Sequence, residues 1–300
     1  MARACGVRLL GALPKPVTAD GLRTLLALSG AEDPLAAVPA IDPGATPEDI
    51  ERGLANQEFC VEFQPKGEIA TRQLCDAEAL VRWNHPRLGR LGPDAFIPAA
   101  ERHGLIGGLT ALVLDLGSSA CHAWRGAGVE AGLAVNLSAL TLGGAGAAEE
   151  LEAAILRNGL PAECVTLEVT ESAAGDDVAG TLENLTRLRL RGFNLSIDDF
   201  GTGYSSMQQL SRVPFTELKI DRSFVTHATE NPRLRVIVEG CLAMARSLGL
   251  RSVAEGVESQ RDWQLLADAG CDVAQGWLIA RPMPASGFVA WARDWKRKWV

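Results

Sequence analysis

The 300-residue sequence contains no run of about 18 apolar residues, so a membrane-spanning helix is not expected. A cleavable leader pattern is missing as well: Arg8 interrupts the apolar run 7–13, Pro14 and Lys15 end it, and no small-residue cleavage site follows. The seven cysteines are scattered without a C-x-x-C pair, and His85, His103, His122 and His227 show no mutual ligand spacing. Those two absences exclude a zinc cluster and a disulfide framework and point to a reducing cytoplasm. Excess positive charge is lacking too, and a net charge of −8 argues against binding to a DNA or RNA duplex. The chain does have an ordinary globular balance, 47% hydrophobic against 22% charged, and enough length to bury one large α/β domain with a small segment left over.

One stretch organises the rest: Ser196-Ile197-Asp198-Asp199-Phe200-Gly201-Thr202-Gly203-Tyr204-Ser205-Ser206. It joins an apolar strand to two adjacent carboxylates and a glycine-rich turn. Ionising both acids in a partly buried place costs several kcal/mol unless a cation lies between them. Mg²⁺ or Mn²⁺, which prefer oxygen ligands, is the expected remedy. The plainer alternative is a turn in which Asp198 or Asp199 caps the next helix while Gly201 and Gly203 supply positive φ.

Residues 1–30 read as strand, turn and helix, with Lys15-Pro16 after the strand and Thr18 capping a helix whose apolar side carries Leu22, Leu25, Leu26 and Leu28. This βα unit resembles the end of a response-regulator receiver domain, in which a lysine before proline pairs with a phosphoacceptor aspartate. The acceptor strand would lie upstream, so no phosphorylation switch is expected within these residues. Residues 31–46 are rich in Ala, Pro and Asp and read as a linker, with Thr46 capping a short helix through Leu54. Beyond it, from 47 to 300, strands alternate with helical stretches: 59–64, 74–83, 133–137, 165–169, 194–197, 217–220, 251–254 and 273–275. Eight such strands suit a (β/α)8 TIM-like barrel, where chemistry gathers at the carboxyl ends of the strands.

Polar residues recur at those ends: Glu78, Asn136, Glu168, Asp198 with Asp199, Lys219, Glu255 and Gln275. Each could be structural by itself, but recurrence at the same end of successive strands is what a central site requires. Glu78, Leu80 and Arg82 alternate along one strand and face one way, which would bring a carboxylate and a guanidinium to a shared mouth able to hold a metal and a phosphate. Trp291, Trp295 and Trp299, beside Arg293, Lys296, Arg297 and Lys298, could mark a membrane-surface helix, although an outer barrel helix packing its tryptophans fits better.

Glu78-Ala79-Leu80-Val81-Arg82-Trp83, preceded by Gln64-Pro65 and followed by the Asp198-Asp199 stretch, resembles the EAL-domain cyclic diguanylate phosphodiesterases from about residue 47 to 298. The resemblance implies a barrel with an antiparallel first strand and hydrolysis of cyclic di-GMP to linear pGpG with two Mg²⁺ or Mn²⁺ ions, Ca²⁺ being inhibitory. It implies that Glu78, Asn136, Glu168, Asp198, Asp199 and Glu255 are metal ligands and that Lys219 orients or deprotonates the attacking water. Gln275 would hold the hydrogen-bond network, Gln64 and Arg82 would touch substrate, and Glu171 would anchor the loop 200–206. That loop couples dimerisation to metal binding in the family, so a homodimer is expected. A catalytically silent cyclic di-GMP receptor acting through a protein partner is the alternative. Three positions depart from the pattern: Lys66 and Gly67 stand where most relatives have apolar residues, and Asp76 stands where glycine is usual.

Overall fold

A computed structural model of the chain describes residues 46–170, 178–201 and 206–299. The chain divides after Ala45, and the second unit, Thr46–Val300, contains all of these residues. The strand–helix reading of residues 1–30 and all but the last residue of the linker lie outside them. The unit begins at a helix, Pro47–Ala55, started by a reciprocal cap in which Asp49 N donates to Thr46 Oγ1 (3.2 Å) and Thr46 N to Asp49 Oδ2 (3.4 Å).

Ten strands follow: β1 (Phe59–Glu68), β2 (Leu74–His85), β3 (Gly89–Leu91), β4 (Gly132–Leu137), β5 (Val165–Thr170), β6 (Asn194–Phe200), β7 (Glu217–Ile220), β8 (Arg251–Ala254), β9 (Val273–Gln275) and β10 (Met283–Pro284). Eight of them, β1, β2 and β4 to β9, close into a barrel in the expected (β/α) order. β1 runs antiparallel to both its barrel neighbours, β2 and β9, while the remaining barrel pairs are parallel. β1 continues past Pro65 and Gly67, two residues that ordinarily end a strand, because β2 and then β9 pair with it as far as Glu68. β3 and β10 were not anticipated; they are short antiparallel additions, β3 to the carboxyl end of β2 and β10 to the middle of β1.

The apolar core lies between strands and outer helices. Leu133, Val135, Leu167, Ile197 and Leu218 turn outward and are fully buried, each contributing roughly 1.5–3 kcal/mol. Helix Ile106–Gly126 is long and apolar enough by length and composition to cross a membrane. Its Leu109, Leu114, Cys121 and Trp124 are buried against the barrel, and a Cβ at Gly117 would meet Leu133 at 3.3 Å, so glycine there permits a close approach. In the final helix, Ala285–Trp299, Trp291 stacks on Trp295 (5.6 Å between centroids), and Trp295 Nε1 donates to the Arg72 carbonyl at 2.7 Å. Arg293, Lys296, Arg297 and Lys298 are exposed, as the outer-helix reading requires.

Candidate active site

The barrel interior is charged, and strand alternation explains why. On β7, Leu218 and Ile220 pack outward, so Glu217 and Lys219 turn inward. On β1, Gln64 and Lys66 lie opposite Glu78 and Asp76 of β2 and share their face. Lys219 is 1% exposed, and three carboxylates converge on its Nζ: Glu168 Oε2 at 2.7 Å, Glu255 Oε1 at 2.7 Å and Asp198 Oδ1 at 2.8 Å, with Glu78 Oε2 at 3.9 Å. Burial works against the ammonium, but these acids outweigh it and hold Lys219 well above its ordinary pKa.

Glu168 is wholly buried between two ammoniums, Lys219 on one oxygen and Lys66 on the other at 2.5 Å. Burial alone would raise its carboxyl, yet Lys219 and Lys66 together bring it down to about 2. Glu255 is the opposite case: burial pushes it up to about 8 despite Lys219. Glu78 accepts from Asn136 Nδ2 and Gln275 Nε2, both at 2.6 Å, and burial raises its carboxyl too. Gln275 Nε2 also reaches Gln64 Oε1 at 3.2 Å, and Gln64 Nε2 donates to the Ala280 carbonyl at 3.3 Å. A side chain at Gly276 would collide with the Val257 backbone, which takes a hydrogen bond from Leu278 and gives one to Gln275, so glycine must follow this glutamine.

Adjacent residues of a strand point to opposite faces, so Asp198 and Asp199 could not both reach the interior of a regular β6. The backbone solves this with a left-handed conformation at Asp199, φ +54°, and a register shift against β7 between Ile197 and Phe200. Ligand oxygens of Asp198, Asp199 and Glu255 consequently lie within 4.8 Å of one another. Burial, then the neighbouring Asp198 and Asp221, push the Asp199 carboxyl up to about 6. Asp198 Oδ1 accepts from Asp199 N (3.0 Å) as well as from Lys219, which makes it part of the cluster.

Arg82, expected beside Glu78 at a shared mouth, is engaged by an acid of β1. Its Nε bonds Glu62 Oε2 at 3.1 Å, Arg90 holds the other Glu62 oxygen, and a third bond goes to the Val81 carbonyl. The acid that engages Arg82 comes from β1, and β3 adds Arg90 as a second guanidinium on it. Asp76 pairs with Arg251 at 2.9 Å near the amino ends of the parallel strands, well away from Glu78. Glu171 and residues 202–205 lie outside the described residues. Lys66 and Glu217 are members of the charged column that strand-end reasoning passed over; stepping by two from Gln64 and back by two from Lys219 would have found them.

Beside the acids opens a cavity of about 360 Å³ lined by Leu80, Pro93, Ile97, Asn136, Asp198 and Asp199 among others. The donor set suits a hard divalent cation: carboxylate oxygens from three strands already point at one cationic nitrogen, and a side-chain amide stands beside them.

Residues 47–282 match the EAL domain family. The cyclic di-GMP phosphodiesterase RocR of Pseudomonas aeruginosa is 36% identical over 296 residues, covering 96% of this chain and 74% of RocR. The bifunctional diguanylate cyclase/cyclic di-GMP phosphodiesterase MucR of the same organism is 40% identical over 243 residues, 81% of this chain but 36% of MucR. Among solved structures, the MucR phosphodiesterase in complex with c-di-GMP matches with a TM-score of 0.75 at 39% identity, covering 80% of this chain and 98% of that one. The FimX EAL domain of P. aeruginosa, at 23% identity and a TM-score of 0.71, shares the fold. A reversed first strand closing a barrel around acids from successive strands thus agrees with a sequence match over most of the chain, which belongs to the EAL domain family.

Proposed function

We propose that this protein hydrolyses cyclic di-GMP to linear pGpG, using two divalent cations, Mg²⁺ or Mn²⁺, in bacterial second-messenger signalling. The observation that carries this reading is the convergence of Glu168, Asp198 and Glu255 on one buried cationic nitrogen beside an open cavity. Relatives named for cyclic di-GMP phosphodiesterase activity support it.

Glu78, Asn136, Glu168, Asp198, Asp199 and Glu255 would hold the cations, which supply a nucleophile from water at neutral pH and neutralise charge on the phosphodiester. The other residues bind and orient. Gln275 fixes the direction of Glu78 through its 2.6 Å bond. Lys219, an ammonium encircled by acids, is a donor and orients the attacking water. Gln64 and Arg82 take the substrate, Arg82 offering the planar fork that suits a phosphate once it exchanges Glu62 for it. Glu171 anchors the loop 200–206, the protein works as a cytoplasmic homodimer, and Ca²⁺ inhibits.

Incubation of the purified protein with cyclic di-GMP and Mg²⁺, Mn²⁺ or Ca²⁺, followed by separation of the nucleotides, tests the reading. We expect pGpG with the first two ions, little with Ca²⁺, and none from a folded Glu78→Ala variant. Undiminished product from that variant would sink the assignment, and binding without turnover in the wild type would make the protein a receptor.

A further inference from the structure

We propose that Lys66 is a positioning residue of this site: it grips one oxygen of Glu168 from the closed end of the barrel and so presents the other oxygen to the cations. The inference rests on the metal-dependent reading above and adds a residue to it.

Lys66 is 1% exposed, and its Nζ lies 2.5 Å from Glu168 Oε1 and 3.9 Å from Glu217 Oε1. Glu217 Oε1 has no hydrogen-bond partner among the described residues, so the pair with Lys66 is the contact it keeps. The Glu168 carboxylate is thereby divided: Oε1 belongs to Lys66, and Oε2 points to the place where Lys219, Asp198 and Glu255 meet. With one oxygen engaged, Glu168 can offer a cation only the other and cannot rotate away.

A buried ammonium is a costly way to fill a barrel. Replacing such a pair with apolar side chains is often neutral or stabilising, so packing gives little reason for lysine at this depth. Two effects of removing it oppose each other. Loss of a positive charge near the acids would favour cation binding, whereas loss of the grip on Glu168 would weaken it. The first is blunted because Glu217, already raised by burial, takes up a proton when its ammonium partner goes. The second remains, and loss of a group that orients a metal ligand typically lowers metal affinity 10- to 100-fold.

The test uses the full chain and Mn²⁺ alone, titrated by calorimetry into wild type, Lys66→Met, Glu168→Gln and the double variant. We expect K66M to bind Mn²⁺ about tenfold more weakly. Its Mn²⁺ concentration for half-maximal turnover should rise by a similar factor, while kcat at saturating Mn²⁺ stays within about threefold. Because Lys66 acts through Glu168, the double variant should bind no worse than E168Q alone, within about twofold. Mn²⁺ binding by K66M equal to or tighter than wild type, or fully additive losses in the double variant, overturns the proposal. If K66M does not fold, Lys66→Gln keeps a donor without the charge; a loss of about threefold is expected, since charge-assisted bonds are roughly twice as strong as neutral ones, and wild-type affinity overturns it. A wild type that neither binds Mn²⁺ nor makes pGpG defeats the functional reading and this inference with it, whereas a wild type that does both beside an unimpaired K66M defeats this inference alone.

Discussion

Replacing Lys219 with methionine keeps the length of the side chain and removes the one charge that faces three carboxylates at 2.7–2.8 Å. Glu168 keeps Lys66, and Glu255 already sits near 8, so little more than one additional carboxyl must take up a proton in the metal-free variant. For a carboxyl with an ordinary value near 4, that uptake costs about 4 kcal/mol at pH 7 and about 1 kcal/mol at pH 5, at 1.36 kcal/mol per pH unit. The first figure agrees with the roughly 3–5 kcal/mol lost when one partner of a buried ion pair is deleted. The sign follows from linkage: acids deprived of the ammonium have folded values above their unfolded ones, so the variant is least impaired at low pH and loses stability as pH rises. Urea unfolding of both proteins in chelator, at pH 5 and pH 7, measures the deficit. A deficit below about 1 kcal/mol at pH 7, or one that does not grow between the two pH values, would refute the reasoning.

Two further outcomes are expected. Asp199→Gly, which relieves a left-handed backbone at φ +54° and the repulsion from Asp198, should stabilise the metal-free protein by about 1 kcal/mol in urea melts while abolishing turnover; a less stable variant would contradict the strain argument. Mn²⁺ binding at pH 7 should release about one proton, because Glu255 is held up to about 8 and must ionise to act as a ligand. Affinity should therefore climb from pH 6 to 8 and level off above. Calorimetry in buffers of different ionisation enthalpy reads the proton count, and heats independent of buffer would contradict it.

Much of the barrel was legible because its outward residues are apolar at alternate positions of short segments with turns and helices between them; β7, β8 and β9 have the bounds their patterns suggest. The acids at strand ends were legible for a related reason, since one polar residue breaking an apolar strand is conspicuous. The closed end of the interior was not. Lys66 follows Pro65, which reads as the end of a strand, and only pairing to β9 carries β1 onward. Glu217 reads as the polar start of β7, and nothing local says that it faces another strand's lysine. Nor did two neighbouring aspartates announce the backbone twist that lets both face inward, since that twist depends on the register of β6 against β7. Alternation along β2 set Arg82 beside Glu78 at one mouth, whereas Glu62, which engages it, and Arg90, which shares that acid, come from two other strands.

The reversed first strand also makes the seam of the cylinder a meeting of distant parts of the chain. β1 and β2 form a hairpin between sequence neighbours, but the cylinder is sealed only when Lys66 meets Gln275 and, nearer the start of β1, Phe63 meets Met283. Contacts separated by some two hundred residues are slow to form, and until they do β1 offers its free edge to any other extended chain. Gln275 arrives with that last strand and bonds Gln64 and Glu78 across the join. The same amide that orients the acid therefore latches the cylinder, so a molecule whose seam stays unsealed also lacks a properly aimed Glu78.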